Sequence, residues 1–380
     1  MTTSAEFRST LVDQLTANGT LTDPGWQKAA ATVPRELFVC EFFRVVPGSN
    51  PTSYEAVYRD SPGWLEVVYA DQTLITQLDS STRPSDTDGA PVTGSPSSSS
   101  TLPGLVLGMW HQLEVEAGQR VLEIGTGTGY STALGAHRLG DENLVSIEVD
   151  PAVAERAATA IKAAGYAPTL VVGDGLAGHP DGAPYDRLMA TCSVRYVPQP
   201  WLYQVRPGGK ILVTLTGWSF AFGLALLTVT EPGAATGRFL PGYTSFMVAR
   251  PHDRPPRQSL ALLPGDERQS RIDPALIEDW TGGWVAQLAA PSAERLGAGG
   301  QQVLSDVATG SQARTMPNPD GGWTVTQRGP LRLWDRVEDA VQAWQAAGSP
   351  HQEGFGVTIT DQGQRVWIGS EDGPGWNLPV

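Results

Sequence analysis

Residues 121–216 alternate between short apolar runs and patterns with helical periodicity. The apolar runs predict five strands, at 121–124, 144–150, 169–175, 185–191 and 210–215. Helical patterns at 131–139 and 152–164 separate the first three of these runs. Strands that alternate with helices predict an α/β fold with a doubly wound parallel sheet. In such a sheet, ligands bind at the carboxyl ends of the strands.

The first strand leads into a loop with glycine at every second position, Gly125, Gly127 and Gly129, which we call the glycine loop (125–129). Residues without a Cβ let the backbone approach a ligand closely, and the helix that follows begins with free N–H groups. Glu123 leaves a carboxylate at the strand end, which suits a cationic or amino-bearing ligand better than a pyrophosphate. S-adenosyl-L-methionine is such a ligand. The alternative role for Glu123 is to accept backbone N–H groups and close the loop.

Two other interpretations of the glycine loop are an ordinary strand-to-helix turn and a dinucleotide site. The dinucleotide fingerprint G-x-G-x-x-G needs its third glycine one residue later, where Tyr130 stands. The second strand carries Glu148 about 20 residues after the loop, which is the spacing of an acid that binds ribose hydroxyls. A solvated acid at a strand end is the alternative for Glu148. Taken together, the acids and glycines at successive strand ends favour a nucleoside ligand.

Periodicity also predicts elements on both sides of this core. They are helices at 7–15, from 24 to near 33, at 105–113 and at 333–344, strands at 220–230 and 239–248, and a hairpin over 356–368. Residues 44–79 show scattered apolar positions and receive no assignment.

Composition changes along the chain indicate the domain organisation. Residues 81–104 are rich in serine and proline, which is typical either of a flexible linker or of a lid over the site. Residues 251–258 are rich in proline and arginine and indicate a boundary. We therefore predict an N-terminal helical segment at 1–80, a nucleotide-binding core at 105–253, and a small α+β accessory domain at 259–380.

Charge and composition exclude several classes of protein. The formal net charge of −14 argues against nucleic acid as a partner, because phosphate binding needs Lys and Arg. No apolar run approaches the roughly 20 residues of a membrane span, and the N-terminus does not resemble a signal peptide. Two cysteines make no disulfide framework, and we see no metal-ligand cluster. We expect a cytoplasmic protein without a metal.

The first 250 residues resemble the protein-L-isoaspartate (D-aspartate) O-methyltransferase family. The resemblance is carried by the sequences at 34–39 (PRELFV), 123–130 (EIGTGTGY), 173–175 (GDG), 183–186 (APYD) and 202–213. It implies a class I S-adenosylmethionine-dependent methyltransferase fold, which is Rossmann-like, and S-adenosyl-L-homocysteine as the product.

The resemblance also implies roles for individual residues. The family carries a T-I-S-x-P segment whose serine sits beside the transferred methyl group, and Thr101 takes its place here. Thr101 is therefore the predicted catalytic residue, with a helix N-cap as the equal alternative. Glu148 is assigned to the ribose, Asp174 and Gly175 to the adenine, and residues 103–106 to the methionine end. The predicted cofactor-binding residues are Pro103, Gly104, Leu105, Val106, Glu123, Gly125, Thr126, Gly127, Glu148, Val149, Asp174, Gly175 and Leu176.

The full chain is similar to variant methyltransferases that accompany ATP-grasp ligases in making ribosomal peptides of the graspetide type. We expected residues 259–380 and the 81–104 segment to lack a counterpart in the housekeeping repair enzyme. This similarity implies methylation of an aspartate side chain in a ligase-crosslinked precursor peptide, followed by closure to an aspartimide. L-isoaspartyl repair is the alternative within enzymes, and a non-catalytic scaffold or peptide-binding module is the alternative from another class.

The chemistry of the acceptor requires no general base, since a carboxylate with a pKa near 3.9 is already ionised at neutral pH. An acidic enzyme acting on an acidic peptide needs local basic groups to offset repulsion. Arg59, Arg83 and the C-terminal domain are the candidates for that role.

Overall fold

The computed structural model describes residues 3–256, 261–298 and 301–380, which form two compact units. The first unit runs up to Thr191 and includes Tyr203–Leu212, and the second contains Cys192–Leu202 and Val213–Val380. This division falls earlier in the chain than the boundary that we expected at 251–258. Two strands of the central region therefore contribute residues to both units.

The N-terminal part of the first unit contains helices and an antiparallel sheet. Its elements are α1 (Ser4–Ala17), α2 (Pro24–Thr32), β1 (Glu41–Val45), β2 (Ser53–Tyr58), α3 (Trp64–Val68), β3 (Leu74–Leu78), β4 (Val92–Thr93), β5 (Pro96–Ser100) and α4 (Pro103–Gln112). The five strands lie in the order β4-β2-β1-β3-β5. A capping box between Thr3 and Glu6 starts α1, and the Asp23 side chain caps α2. The predicted helices are thus confirmed.

The segment at 81–104 differs from a flexible linker. Its strand β5 pairs with β3 in antiparallel register, with Leu74 opposite Ser100 and Ile75 opposite Ser99. Ser98 and Ser100 are buried while the serines beside them are half-buried. Backbone pairing therefore orders β5, whose side chains are one proline and four serines, so a flexible linker does not describe this part of the segment. The lid alternative stays a prediction.

The rest of the first unit is the predicted doubly wound core. Its elements are β6 (Val121–Ile124), α5 (Tyr130–Leu139), β7 (Leu144–Glu148), α6 (Pro151–Ala163), β8 (Thr169–Val172), β9 (Tyr185–Val194), α7 (Gln199–Gln204) and β10 (Val205–Thr216), of which β9, α7 and β10 contribute residues to both units. Strand β6 pairs in parallel with β7 and β9, and β7 with β8. The parallel α/β core is confirmed.

The second unit is mostly antiparallel. It adds β11 (Phe222–Glu231), β12 (Ala234–Phe239), β13 (Asp266–Gln269), α8 (Trp280–Ala289), β14 (Ala293–Ala298), β15 (Gln301–Asp306), β16 (Gln312–Pro317), β17 (Trp323–Arg328), α9 (Leu333–Ala346), β18 (Phe355–Thr360), β19 (Gly363–Ile368) and β20 (Gly375–Asn377). One sheet has the order β10-β11-β12-β18-β19-β20, and a second has the order β13-β17-β16-β15-β14. Within the described ranges, no helix is long and apolar enough to cross a bilayer.

Predictions for this unit were right about its last elements and wrong about one strand. Helix α9 and the β18–β19 hairpin are confirmed, although the hairpin extends the sheet of β12 instead of standing apart. The strand predicted at 239–248 is absent from the described residues, because β12 ends at Phe239. Pro241 and Gly242, whose φ of +107° lies in the left-handed region, turn the chain away after it.

A single buried arginine connects the pieces of the first unit that precede the core. Arg35 is fully buried. Its guanidinium donates at 2.7–3.3 Å to the carbonyl oxygens of Val68, Ala70, Gln72, Ser100 and Thr101. It therefore joins the end of α3, the segment before β3, and the end of β5. Burial lowers the pKa of Arg35 to about 10, so the group remains charged at neutral pH.

We predict that Arg35→Ala lowers the free energy of unfolding by roughly 3 kcal/mol or more, because each buried carbonyl left without a donor costs roughly 1–3 kcal/mol. Urea unfolding measures this. The matched control is Arg44→Ala, whose ion pair with Glu55 is largely exposed and is worth about 1 kcal/mol or less. Equal losses in the two variants would contradict the connecting role of Arg35.

Candidate functional site

The glycine loop needs its glycines for backbone conformation. The φ angles of Gly125, Gly127 and Gly129 are +96°, +56° and +89°. These values lie in the left-handed region, where a Cβ is strained. The alternating glycines therefore produce a tight turn between β6 and α5.

The N–H groups of the glycine loop are largely used within the protein. Gly125 and Thr126 both donate to the Ile147 carbonyl, at 2.8 and 3.1 Å. Gly127 donates to the Glu148 carboxylate at 2.8 Å. A pyrophosphate would have to compete for these donors and would meet the Glu148 charge, so the geometry excludes the dinucleotide interpretation.

Glu123 lies in surroundings that neither of our expectations described. It is fully buried, and its carboxylate accepts hydrogen bonds from three hydroxyls, Ser131 at 2.5 Å, Thr132 at 2.5 Å and Ser146 at 2.8 Å. It thus neither faces a ligand nor accepts backbone N–H groups. Burial raises the pKa of Glu123, and the three hydroxyl donors oppose that rise. The carboxylate joins β6, the first turn of α5, and β7.

Thr126 also points into the protein. Its side chain is 5% exposed, and its hydroxyl lies 2.7 Å from that of Ser146. On the other side of the loop, the Thr191 hydroxyl donates a hydrogen bond to the Gly125 carbonyl oxygen at 2.6 Å. Sequence reasoning missed Ser146 and Thr191 as supporting residues. The available signal was a serine inside an otherwise apolar strand.

The predicted adenosine residues come together at the ends of β7 and β8. Glu148 pairs in register with Val172, two residues before Asp174. Val149 is 40% exposed, which leaves an apolar surface beside the Glu148 carboxylate. Asp174 is exposed and accepts the N–H of Leu176 at 2.9 Å. This combination of an acid and exposed apolar surface fits a nucleoside.

Gly175 meets the end of β6 directly. A Cβ on Gly175 would lie 2.5 Å from the Ile124 side chain, so only glycine allows this approach. The contact brings the 174–176 segment next to the start of the glycine loop.

Thr101 follows β5, which runs against the glycine loop. A Cβ on Gly127 would lie 3.4 Å from the carbonyl oxygen of Ser99. Leu102, and not Thr101, is the N-cap of α4, and no side chain caps it. The N-cap alternative for Thr101 is therefore not observed. Its hydroxyl makes no hydrogen bond to any residue in the part of the chain that the structure describes, whereas its carbonyl accepts from Arg35.

Residues 103–106 are less accessible than we expected. Leu105 is half-buried, whereas the other three are buried. The N–H of Gly104 donates to Asp71 at 2.7 Å, and a Cβ on Gly104 would lie 2.6 Å from that carboxylate. Asp71, which sequence reasoning missed, therefore holds the start of α4 in place.

Comparison with known proteins identifies the family. The family model "Protein-L-isoaspartate(D-aspartate) O-methyltransferase (PCMT)" matches residues 88–219. The protein-L-isoaspartate O-methyltransferase of Ignicoccus hospitalis is 32% identical over 210 residues, which are 55% of this chain and 81% of that protein. That of Hyperthermus butylicus is 30% identical over 243 residues, 61% of this chain and 84% of that protein. The chain belongs to the protein-L-isoaspartate O-methyltransferase family.

Membership of this family makes the protein an S-adenosylmethionine-dependent protein carboxyl O-methyltransferase. The site fits that cofactor, since acids and exposed apolar surface suit a sulfonium nucleoside, and the loop N–H groups that a pyrophosphate would need are largely used within the protein. The predicted substrate class, a protein or peptide, agrees with the family.

A solved structure named protein-L-isoaspartate O-methyltransferase shares the fold. It aligns with 96% of this chain and 100% of its own, with a TM-score of 0.56 and 19% identity. Since 96% of the chain includes most of residues 259–380, our expectation that this region lacks a counterpart in the methyltransferase family is wrong at the level of fold. The C-terminal region alone therefore does not single out a specialised peptide substrate.

We predict that Glu123→Gln changes how stability depends on pH. The folded-state pKa of Glu123 is raised, so its contribution to stability is greatest below the unfolded value of 4.5 and falls as pH rises through the folded pKa. The difference in unfolding free energy, wild type minus variant, should therefore decrease as the pH rises from 4.5 through the neutral range. Urea unfolding across that range measures it. A difference that is constant or increases with pH contradicts the prediction.

Proposed function

We propose that this methyltransferase esterifies the free carboxylate of an L-isoaspartyl residue in a peptide or protein. The observation that carries the proposal is the Thr101 hydroxyl, which has no partner among the described residues and lies at the end of β5 beside the glycine loop. Two relatives of this name match over more than four-fifths of their own length, which supports it.

The acceptor arrives already charged, since a model carboxylate pKa is about 3.9. S-adenosylmethionine, when bound, supplies a sulfonium methyl carbon, to which the carboxylate oxygen bonds as the carbon–sulfur bond breaks and leaves S-adenosylhomocysteine. The Thr101 hydroxyl donates a hydrogen bond that orients the acceptor. Alignment of two bound reactants supplies roughly 7–11 kcal/mol of the barrier reduction.

We assign the cofactor contacts to the strand ends. Glu148 binds the ribose hydroxyls, since a carboxylate has about four acceptor sites. Val149 and the 174–176 segment border the adenine, and Leu105 with the backbone of residues 103–106 borders the methionine end. Gly125 and Gly127 permit close approach, while Glu123 and Thr126 hold the loop from inside and act as positioning residues.

We predict that Glu148→Gln weakens S-adenosylhomocysteine binding roughly tenfold to a hundredfold, because hydrogen bonds to a charged group are worth roughly 1.5–3 kcal/mol. The amide oxygen can still accept the Gly127 N–H, so the loop should persist, whereas the Asp150 N–H, which donates to the other carboxylate oxygen at 3.1 Å, loses its acceptor. Isothermal titration calorimetry measures the affinity, with exposed Glu116→Gln as the charge-matched control. Wild-type affinity in Glu148→Gln would remove Glu148 from the ribose site.

A second candidate is methylation of an aspartate side chain in a ribosomal peptide crosslinked by an ATP-grasp ligase. In that case the ester is attacked by the following backbone nitrogen, and methanol leaves as the aspartimide forms. One observation favours it: Thr101 stands where the resemblance implies a serine in the family.

The two candidates differ in the acceptor, so matched peptides separate them. We predict transfer of labelled methyl from S-adenosylmethionine to an isoaspartyl peptide and none to the aspartyl peptide of the same sequence. Turnover of a ligase-crosslinked aspartyl precursor, with no turnover of the isoaspartyl peptide, would replace the first candidate by the second. No turnover of either, with S-adenosylhomocysteine bound, would favour a non-catalytic scaffold.

A further inference from the structure

A cavity of about 600 Å³ lies beside the glycine loop within the first unit. Its walls come from α6, from β1, β3 and β5, and from Gly127 and Thr128. Three arginines line it, Arg59, Arg83 and Arg156, and we call it the arginine pocket. Among the described residues that line it, Gly127 alone belongs to the predicted cofactor set. Its volume is typical of small-ligand sites.

Two of the three arginines already have partners. Arg83 donates to the Glu41 carboxylate at 2.7 Å, and Arg59 donates to the Glu36 carbonyl at 2.8 Å. Arg156, on α6, makes neither a hydrogen bond nor an ion pair with any residue of 3–256, 261–298 or 301–380. The pocket therefore contains a cation that the described residues leave unpaired.

The charges around Arg156 explain why an anion would be bound there. Burial, and then the positive charge of Arg83, lower the pKa of Arg156. The carboxylates of Asp150, Glu41 and Asp86 oppose this from a distance, without a direct contact. A half-buried guanidinium that faces a second one is stabilised when a carboxylate enters, since charge-assisted hydrogen bonds between them are strong.

We propose that the arginine pocket binds a second carboxylate of the peptide substrate, on an acidic side chain near the methylated residue. This inference rests on the proposed function. Ser98 lines the pocket and stands three residues before Thr101, roughly 10 Å along an extended chain. A bound peptide spans that distance with about three residues. The acidic residue is therefore expected about three positions from the methylated one.

Local attraction is needed here because the enzyme carries a net charge of −14. Repulsion of an acidic peptide is screened only beyond roughly 8 Å at physiological salt. A guanidinium inside the pocket acts at contact distance, where screening is weakest. Arg59 and Arg83, which the sequence suggested as basic groups, lie in the same pocket as Arg156.

The test uses two pairs of isoaspartyl peptides. Within each pair the peptides differ only in Glu or Gln, which stands three positions before the isoaspartate in one pair and three positions after it in the other. We expect the wild-type enzyme to have a roughly tenfold lower KM for the better-placed Glu peptide than for its Gln partner. Arg156→Gln should abolish that ratio while leaving kcat and the Kd of S-adenosylhomocysteine unchanged. Lys162→Gln removes an exposed charge from the same helix and should keep the wild-type ratio.

Fluorescence anisotropy measures peptide binding in the presence of S-adenosylhomocysteine, and so compares the Glu and Gln peptides without turnover. A preference for Glu that disappears in Arg156→Gln supports the pocket even if neither peptide is methylated, in which case the proposed function fails alone. Equal affinities for Glu and Gln peptides in the wild type overturn the inference. Weaker S-adenosylhomocysteine binding in Arg156→Gln, with an unchanged peptide preference, overturns it too and assigns the pocket to the cofactor.

Discussion

The hydrogen bond from the Gly127 N–H to the Glu148 carboxylate is the constraint on which the rest of the site depends. It joins the middle of the glycine loop to the end of β7. One interaction therefore fixes the position of the loop backbone and that of the carboxylate predicted to bind the ribose. A side chain at Gly127 would be strained by the φ of +56° and would also approach Ser99. Strand β5 and the residue after it, Thr101, therefore have their distance from the loop fixed by backbone alone.

The loop also needs support from below, and Glu123 provides it at an energetic cost. A buried carboxylate is destabilised by desolvation, and the three hydroxyls of Ser131, Thr132 and Ser146 offset only part of that cost. The hydrogen bonds of Glu123 connect β6 and β7 to the first turn of α5. Apolar packing alone would not fix the relative orientation of these elements. Buried polar networks of this kind are typical of positions where one geometry is required.

The parallel core was predictable and the N-terminal antiparallel sheet was not, for one physical reason. Strands buried on both faces, such as 144–148, are short and mostly apolar runs that the sequence displays directly. Strand β5 is a proline and four serines, held by backbone pairing and by Arg35, and no local pattern indicates it. The same holds for the candidate site. Its glycines and strand-end acids could be proposed from the sequence because each belongs to a short local pattern. Partners such as Asp71 contact residues more than 30 positions away and leave no local pattern.

Electrostatics decides which acceptors suit this site. An already ionised acceptor needs no base, so the protein has only to hold two opposite charges, a carboxylate and a sulfonium, in line. Glu148 attracts the cationic cofactor but repels the anionic acceptor, and the overall charge of −14 adds to that repulsion. A cation must therefore lie near the acceptor without contacting the cofactor. Arg35 is fully buried, and both terminal nitrogens of its guanidinium donate to backbone carbonyl oxygens, so it is already engaged within the protein. Of the three arginines that line the arginine pocket, Arg156 alone has no ion-pair or hydrogen-bond partner among the described residues. A carboxylate on the substrate, close to the methylated residue, would supply that partner.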